Sequence, residues 1–325
     1  MEFGTSMPMW LLAKLASEDR YKDIERFLQA MEDFGFSIFQ QGDHVADPGL
    51  SHHESEDRSR LVYSDVFSTL ASLAPLHPRM RFLAGVVILP LRHPLLVAHA
   101  TATLDLLSRG RFILGTGSGY ARAEFNALGI DMKERFGRTE ESLQVIGSLL
   151  QDSSTTFEGR YYKMHDAAIT CRPYTKPRPP IWVGGVGEKA ALRAARLGDA
   201  WFPSISGYAR ASGPTPRRIA EMSKVARAAR SESGKPPLPV FASSAIALTF
   251  MTDPKPLDAA PDPRDRLVNG TGGPADLVEL LIAYREAGLS GFVFSCHTET
   301  SLDGCLRAID TFANKIMPKV MPRAA

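Results

Sequence analysis

The stretch PIWVGGVGEKAALRAARLGDAWF, residues 180–202, contains two strand-like segments separated by one helix-like segment. Ile181–Val183 and Ala200–Phe202 are short and rich in aromatic or β-branched residues, as buried strands are. Glu188–Leu197 has the composition of a helix, and Gly198 is a natural stop for it. One helix that joins two strands predicts that both strands lie parallel in the same sheet.

The same alternation of strand-like and helix-like segments extends over the whole chain. Helices are predicted where apolar residues recur at spacings of three and four, from Tyr21 to Phe34 and from Leu277 to Tyr284, and Gly35 and Gly288 end them. The apolar runs that predict further strands are Phe3–Thr5, Ser37–Gln41, Arg81–Leu89, Phe112–Gly115, Val240–Thr249 and Phe292–Ser295.

Strands that alternate with helices predict an α/β fold, a (β/α)8 TIM barrel with insertions that forms a single domain over residues 1–325. Helix-to-strand connections are short, whereas residues 43–64 and 254–273 are long segments after strands, and residues 152–180 form an excursion after a helix. Barrel enzymes place their active sites on the strand-to-helix loops. A doubly wound sheet is the alternative, but Met7–Trp10 lacks the glycines that would follow its first strand.

Composition and charge narrow the class of protein. The chain has 325 residues, 44% hydrophobic and 23% charged, with a formal net charge of +2, so neither nucleic acid nor a membrane surface is an expected partner. Cys171, Cys296 and Cys305 show no Cys-x-x-Cys spacing and favour a reducing compartment. The N-terminus lacks the features of a signal peptide, and no apolar run predicts a transmembrane helix, so we expect a cytoplasmic protein.

An acid and an imidazole follow the second predicted strand, in the run Gly42-Asp43-His44. Catalytic side chains of barrels come from this position, and histidine exchanges protons near neutral pH, so Asp43 and His44 are candidates for acid–base catalysis. The alternative is a histidine that caps the loop. His52 and His53 lie further along, but a solvated polar loop is favoured over a metal site because adjacent histidines chelate one ion poorly. No metal is predicted.

Two glycine-rich turns are candidate ligand-binding segments. Gly115–Tyr120, with Glu124 just beyond it, follows the fourth predicted strand, and glycine lets the backbone approach a ligand closely. A tight turn of small residues is the alternative explanation. Gly184–Gly187 precedes a predicted helix, whose N-terminal amide groups are suited to bind phosphate, with Lys189 and Arg193 as candidates to assist.

Seven motifs follow one another along nearly the whole chain: Phe3–Pro8, Gly42–His44, Leu104–Arg111, Leu114–Gly119, Phe157–Tyr162, Pro180–Gly185 and Arg196–Trp201. In this order and spacing they resemble the luciferase-like monooxygenase superfamily, and within it the deazaflavin-dependent branch that uses coenzyme F420. The sequence departs from the pattern of the deazaflavin-dependent branch at two positions. Tyr120 stands where some deazaflavin enzymes have a glutamate, and Gly42 replaces a serine often found before the Asp-His pair.

The resemblance implies a bacterial-luciferase-like barrel with the ring of a flavin or deazaflavin at the C-terminal ends of its strands. It implies that His44 is the proton donor or acceptor and that Asp43 contacts the ring. A cis peptide, often present in the third strand of the family, would join Val86 to Val87 against the cofactor. The other implied contacts are Gly117, Ser118, Gly119 and Tyr120 near the ring, and Gly184, Gly185 and Ser204 at the phosphate.

The favoured activity is hydride transfer between reduced coenzyme F420 and a small organic substrate, with the protein supplying orientation and a proton path. The second hypothesis is a monooxygenase that receives reduced FMN from a separate flavin reductase. A flavin or F420 reductase is therefore an expected candidate partner. A flavin-binding barrel without turnover and a metal-dependent hydrolase, which would use His44, His52 and His53, are further alternatives. Because relatives in this superfamily often dimerise, the resemblance also makes a homodimer one of the expected assemblies.

Overall fold

The fold is organised around a sheet of eight parallel strands. The computed structural model describes residues 1–8, 11, 18–46, 63–205, 214–247, 273–296 and 301–321. In chain order the strands are β1 (Glu2–Ser6), β2 (Ile38–Gln41), β3 (Arg81–Ile88), β4 (Phe112–Gly117), β5 (Thr155–Glu158), β6 (Lys163–Ala167), β7 (Ile181–Gly184), β8 (Ala200–Phe202), β9 (Phe241–Ala247) and β10 (Gly291–Ser295). The parallel sheet has the order β8-β7-β4-β3-β2-β1-β10-β9, while β5 and β6 form a separate antiparallel pair.

The two edges of the parallel sheet meet and close it into a barrel. Isolated parallel bridges join Trp201 to Val240 and Ser204 to Ser243, which connects the segment around β8 to the segment around β9. The backbone N–H of Trp201 donates to the carbonyl oxygen of Pro239 at 3.0 Å. The predicted (β/α)8 barrel is therefore confirmed.

Helices follow the strands around the outside of the barrel. Their apolar faces pack on the outward-facing residues of the strands, among them Phe39, Phe82 and Phe112, in one continuous outer core. The helices are α1 (Glu18–Asp33), α2 (Val66–Leu73), α3 (Pro94–Leu107), α4 (Arg122–Ala127), α5 (Arg135–Gln151), α6 (Glu188–Leu197), α7 (Pro216–Glu232), α8 (Pro274–Glu286), α9 (Leu302–Thr311) and α10 (Met317–Val320), with 3-10 turns at Leu89–Leu91 and Met132–Glu134 and a π turn at Phe312–Ile316.

A second, smaller core fills the inside of the barrel. At its centre the rings of Trp182 and Phe241 stack with their centroids 4.0 Å apart. Because successive strand residues alternate between the two faces, these inner residues and the outer core come from the same strands. The inner core consists of Ile38, Leu83, Ile113, Trp182, Ala200, Phe202, Phe241 and Val293. The barrel is therefore packed rather than hollow, and a ligand has to bind at one end of it.

The predicted barrel strands are all present, with ends that differ by at most two residues over the described positions. Sequence analysis did not predict the hairpin of β5 and β6, which lies in the excursion at residues 152–180. Glu141 on α5 anchors this hairpin, because its carboxylate accepts the backbone N–H groups of Arg160, Tyr161 and Tyr162 at 2.8 to 3.1 Å. The hairpin's turn is thus held by a residue outside it.

The Leu104–Arg111 motif stabilises the N-terminal end of the barrel. The guanidinium of Arg111 donates to the carbonyl oxygens of Ala74, His77 and Met80, each at 2.7 Å, and so joins β4 to the loop between α2 and β3. The Leu104–Arg111 motif, which is part of the family resemblance, therefore stabilises the fold at the N-terminal end of the barrel.

Arg111→Lys is expected to lower the free energy of unfolding by about 2–4 kcal/mol, because a single ammonium cannot replace a guanidinium that binds three carbonyls at fixed positions. Urea unfolding followed by circular dichroism measures the change. Arg217→Lys is the matched control, since the Arg217 side chain is 91% exposed and its ion pair among the described residues is with nearby Glu221. A loss at Arg111 no greater than at Arg217 would show that these hydrogen bonds do not stabilise the barrel.

His77 makes the stability of the protein dependent on pH. Its side chain is buried, both ring nitrogens are without a hydrogen-bond partner among the described residues, and burial lowers its pKa. The unfolded chain therefore takes up this proton at a higher pH than the folded chain does, so stability falls as the pH drops through histidine's ordinary range. Between about pH 7.5 and 5.5, His77→Leu is expected to lose less stability than the wild type. Parallel losses in thermal unfolding would contradict this.

Candidate functional site

Small inward-facing residues lie at the C-terminal end of the barrel, and we refer to the space above them as the depression. The inward positions near the ends of four strands are Ser6, Gly117, Gly184 and Ser295, and the hydroxyl of Ser6 donates to that of Ser295 at 3.0 Å. Because glycine and serine fill little volume, they leave room above the packed core. This end is where barrel enzymes place their ligands.

Val86 forms the floor of this depression. Its side chain packs on the inner core and stays partly exposed. A Cβ atom added to Gly117 would come within 2.6 Å of Val86 Cγ2, and one added to Gly184 would lie 3.5 Å from Val86 Cγ1. Glycines on β4 and β7 thus leave the space in which the Val86 side chain lies, and Val86 presents an apolar surface upward.

The cis peptide of β3 joins Gly85 to Val86, one residue earlier than the resemblance implied for Val86 and Val87. The pairing of β3 with β4 changes register between Ala84 and Val87, so residues on either side of this point cannot be counted by simple alternation. Val87 is fully buried in the outer core, so its side chain does not line the depression. At Gly85 an added Cβ would come within 2.7 Å of Gln40 Cγ, so a larger residue there would displace the Gln40 side chain.

His44 and Glu124 form a hydrogen-bonded pair beside the depression. His44 Nδ1 lies 2.9 Å from Glu124 Oε2, and the backbone N–H of Val45 donates to Glu124 Oε1, also at 2.9 Å. The side chains are 10% and 2% exposed, respectively. The rings of Tyr63 and Tyr120 meet the imidazole edge-on, with centroids 4.5 Å and 5.9 Å away. An imidazole held by a carboxylate is a suitable group for proton exchange.

Asp43 forms a separate ion pair with Arg92, the residue that follows the 3-10 turn after β3. Its two carboxylate oxygens accept hydrogen bonds from the guanidinium at 2.5 Å and 2.7 Å, and one of them accepts from the N–H of Ile88 at 3.4 Å. Burial raises the pKa of Asp43, and the charge and hydrogen bonds of Arg92 oppose that rise. With both oxygens occupied, Asp43 ties the end of β2 to the end of β3.

The Gly117–Tyr120 segment makes a tight turn at the rim of the depression. Gly119 has a φ of +76°, and a Cβ there would come within 2.7 Å of Ile88 Cγ2, so only glycine fits. The hydroxyl of Ser118 accepts a hydrogen bond from Thr139 at 3.0 Å. Tyr120 is half-exposed, and burial together with the charge of Glu124 raises its pKa.

The Gly184–Gly187 turn leads directly into α6. Gly185 has a φ of +121° and its carbonyl oxygen accepts from Trp201 Nε1 at 2.8 Å, which fixes the turn. Lys189 is exposed beside this turn, as expected for a residue that could help to bind a phosphate. Arg193, the other predicted helper, is buried with its Nε atom 3.7 Å from Glu140, so it is not free to reach a phosphate at the turn. Ser204 lies beside the depression, bridged to β9.

Two contributors to this site were missed from sequence. Glu124 was noted without a role, and Arg92 was assigned none, because their contacts cross between loops that are far apart in the chain. His52 and His53, weighed as metal ligands, lie outside the described residues. Within the described ranges, no group of three or more His, Cys, Asp or Glu side chains could hold a metal ion.

Arg92→Leu is expected to lower the free energy of unfolding by about 3 kcal/mol, because it leaves a buried carboxylate unpaired. Adding Asp43→Asn should restore part of that loss, since the amide carries no charge to desolvate. Urea unfolding of the single and double variants measures both effects. Arg217→Leu, which removes an arginine that is 91% exposed and whose partner Glu221 is 46% exposed, is the control and should cost less than about 1 kcal/mol. A double variant no more stable than Arg92→Leu would contradict the pairing.

Parts of the sequence are similar to known oxidoreductases. An F420-dependent glucose-6-phosphate dehydrogenase of Kineococcus radiotolerans is 39% identical over 113 residues, 34% of this chain and 33% of that protein. The 4-hydroxyprotoasukamycin monooxygenase of Streptomyces nodosus subsp. asukaensis is 31% identical over 197 residues, 60% of this chain and 50% of that protein. The chain thus spans about a third to a half of the curated relatives it matches.

Structural comparison supports the same fold. The monooxygenase RslO1 from Streptomyces bottropensis superposes with a TM-score of 0.75 at 19% identity, over 99% of this chain and 100% of that one.

No helix among the described residues is long and apolar enough to cross a membrane. The family model described as luciferase-like monooxygenase matches residues 1–249. The chain therefore belongs to the luciferase-like monooxygenase family, whose members are oxidoreductases and monooxygenases.

Proposed function

We propose that this protein is an oxidoreductase that binds coenzyme F420 in the depression and catalyses hydride transfer between this cofactor and a small organic substrate. The observation that carries the proposal is the position of His44, held at the C-terminal end of β2 by Glu124 and next to the depression. A group that exchanges protons at this end of the barrel is what the proposed reaction requires beside the ring of the cofactor.

The residues of the depression fit a deazaflavin. A flat ring system needs an apolar surface to lie on and no bulky side chains around it, and the partly exposed Val86 with the small residues Gly117 and Gly184 provide both. The backbone of Gly185 at the start of α6 is suited to hold the phosphate of the cofactor, because helix N-termini favour anions. Ser204 is a further candidate for that contact.

When bound, the deazaflavin supplies the hydride chemistry. The protein supplies the proton chemistry and the orientation. His44 takes up the hydroxyl proton when an alcohol is oxidised and returns a proton to the carbonyl oxygen in the reverse direction. The rings of Tyr63 and Tyr120 shield the imidazole from water, and the Asp43–Arg92 pair holds the end of β2 in place.

Support for coenzyme F420 comes from the Asp-His sequence at the end of β2 and from the dehydrogenase of Kineococcus radiotolerans, whose name includes this cofactor. The rival proposal is a monooxygenase that uses reduced FMN from a separate reductase. It is favoured by the match to 4-hydroxyprotoasukamycin monooxygenase, which extends over 60% of this chain. Both proposals use the same depression.

The cofactor is tested by titrating the purified protein with F420 and, in parallel, with FMN, following cofactor fluorescence. F420 is expected to bind with micromolar or lower Kd and FMN more weakly. Val86→Phe, which adds bulk at the floor, should weaken F420 binding tenfold or more, an effect of about 1.4 kcal/mol. His44→Ala should keep the binding.

Turnover is then tested with a panel of alcohols and carbonyl compounds, by following oxidation or reduction of F420. His44→Ala should reduce kcat by about a hundredfold or more, the usual contribution of a general acid or base. His165→Ala, which removes an exposed histidine on β6, is the control. Tighter binding of FMN, with oxygen consumption when reduced FMN is supplied, would replace this proposal by the monooxygenase. Binding of neither cofactor would refute both.

A further inference from the structure

We propose that Glu124 is the positioning residue that fixes the tautomer of His44. It holds the proton of the neutral imidazole on Nδ1, so that Nε2 is the nitrogen that exchanges protons with the substrate. The role of Nε2 in turnover rests on the proposed function, whereas the tautomer itself is a property of the protein without cofactor.

The two oxygens of Glu124 bind two successive residues. Oε2 lies 2.9 Å from the ring nitrogen of His44, and Oε1 accepts the backbone N–H of Val45 at 2.9 Å. One carboxylate therefore holds both the imidazole and the peptide that follows it. An ionised carboxylate accepts hydrogen bonds and cannot donate them, so the ring nitrogen that faces it has to carry a hydrogen. In the neutral imidazole this leaves Nε2 unprotonated.

Glu124 is itself held rigidly. It lies in the first turn of α4, and the next residue, Phe125, is fully buried in a small cluster with Ile88 and Leu91. The Glu124 side chain is 2% exposed. Burial of Phe125 thus fixes the position from which Glu124 reaches across β3 to the end of β2.

Among the residues that the structure describes, the other titratable groups near the pair do not compete for Nδ1. Tyr63 and Tyr120 face the imidazole with ring edges, and burial and Glu124 raise the pKa of Tyr120, which keeps its phenol protonated. Asp43 is bound to Arg92 through both carboxylate oxygens. Among the described residues, Glu124 is the one carboxylate in hydrogen-bond contact with His44.

This arrangement specifies the path of the proton. In the oxidative direction the C–H bond of an alcohol carbon would break, with its electron pair leaving as hydride to oxidised F420. The O–H bond would break as well, with its electron pair completing the C=O bond and its proton forming a bond with Nε2. The imidazole becomes a cation beside the anionic Glu124, which keeps its own charge throughout. In the reductive direction the same proton returns from Nε2 to the carbonyl oxygen. Glu124 acts only through His44.

The tautomer is measured by NMR of protein labelled with ¹⁵N-histidine, without cofactor, using His44→Gln to assign the signal. Above the pH at which the ring titrates, His44 is expected to carry its proton on Nδ1. Glu124→Gln should move the proton to Nε2, because the amide oxygen stays with the N–H of Val45 and the amide NH2, which can only donate, then faces Nδ1. Glu141→Gln, which alters another carboxylate that accepts backbone N–H groups, should leave the His44 signal unchanged. A wild-type proton on Nε2, or an unchanged tautomer in Glu124→Gln, would overturn the proposal.

A kinetic measurement separates this role from a structural one. With F420 and a substrate found in the panel, Glu124→Gln should lower kcat by about tenfold or more while KM and the cofactor Kd change little, and Glu124→Asp should recover part of the loss. A loss that appears in the cofactor Kd instead, through disruption at Val45, would contradict positioning. If His44→Ala keeps full turnover, the proposed function of His44 fails, while the NMR result still decides the tautomer.

Discussion

The closed barrel around a filled interior is the constraint on which the rest of this structure depends. The stacked rings of Trp182 and Phe241, with aliphatic residues from neighbouring strands, occupy the inside of the barrel and leave no channel through it. Further toward the C-terminal ends, the inward positions change to glycine and serine. The change in side-chain volume along the same strands turns a packed core into a depression, and the position of the site follows from it.

Polar and charged side chains play different roles at the two ends of the barrel. At the N-terminal end, Arg111 binds three carbonyl oxygens and Asp105 accepts the N–H and hydroxyl of Thr175, so both are consumed in stabilising loops. At the C-terminal end, His44 keeps one ring nitrogen outside its carboxylate contact. Family motifs occur at both ends, and only the structural context distinguishes those that stabilise from those that can react.

Much of the fold was predictable because alternation of strands and helices is a local property of the sequence. Glu188–Leu197 was predicted with its observed bounds. The hairpin of β5 and β6 was missed because its side chains are mostly exposed and its anchor, Glu141, comes from another element. The cis peptide was placed one residue late because a register change in β3 does not show in sequence. The contact of Glu124 with His44 was not predicted because it joins α4 to the end of β2, which are 80 residues apart in the chain.

Two buried carboxylates near the depression illustrate how partners determine what an acid can do. Asp43 binds a guanidinium, which does not lose its proton under ordinary conditions, so this pair keeps one state and fixes geometry. Glu124 binds an imidazole, whose two nitrogens can accept or donate a proton, so this pair is suited to proton transfer. Of the two residues in the Asp-His sequence, the histidine is therefore the one whose charge can change during a reaction, while the aspartate holds it in place.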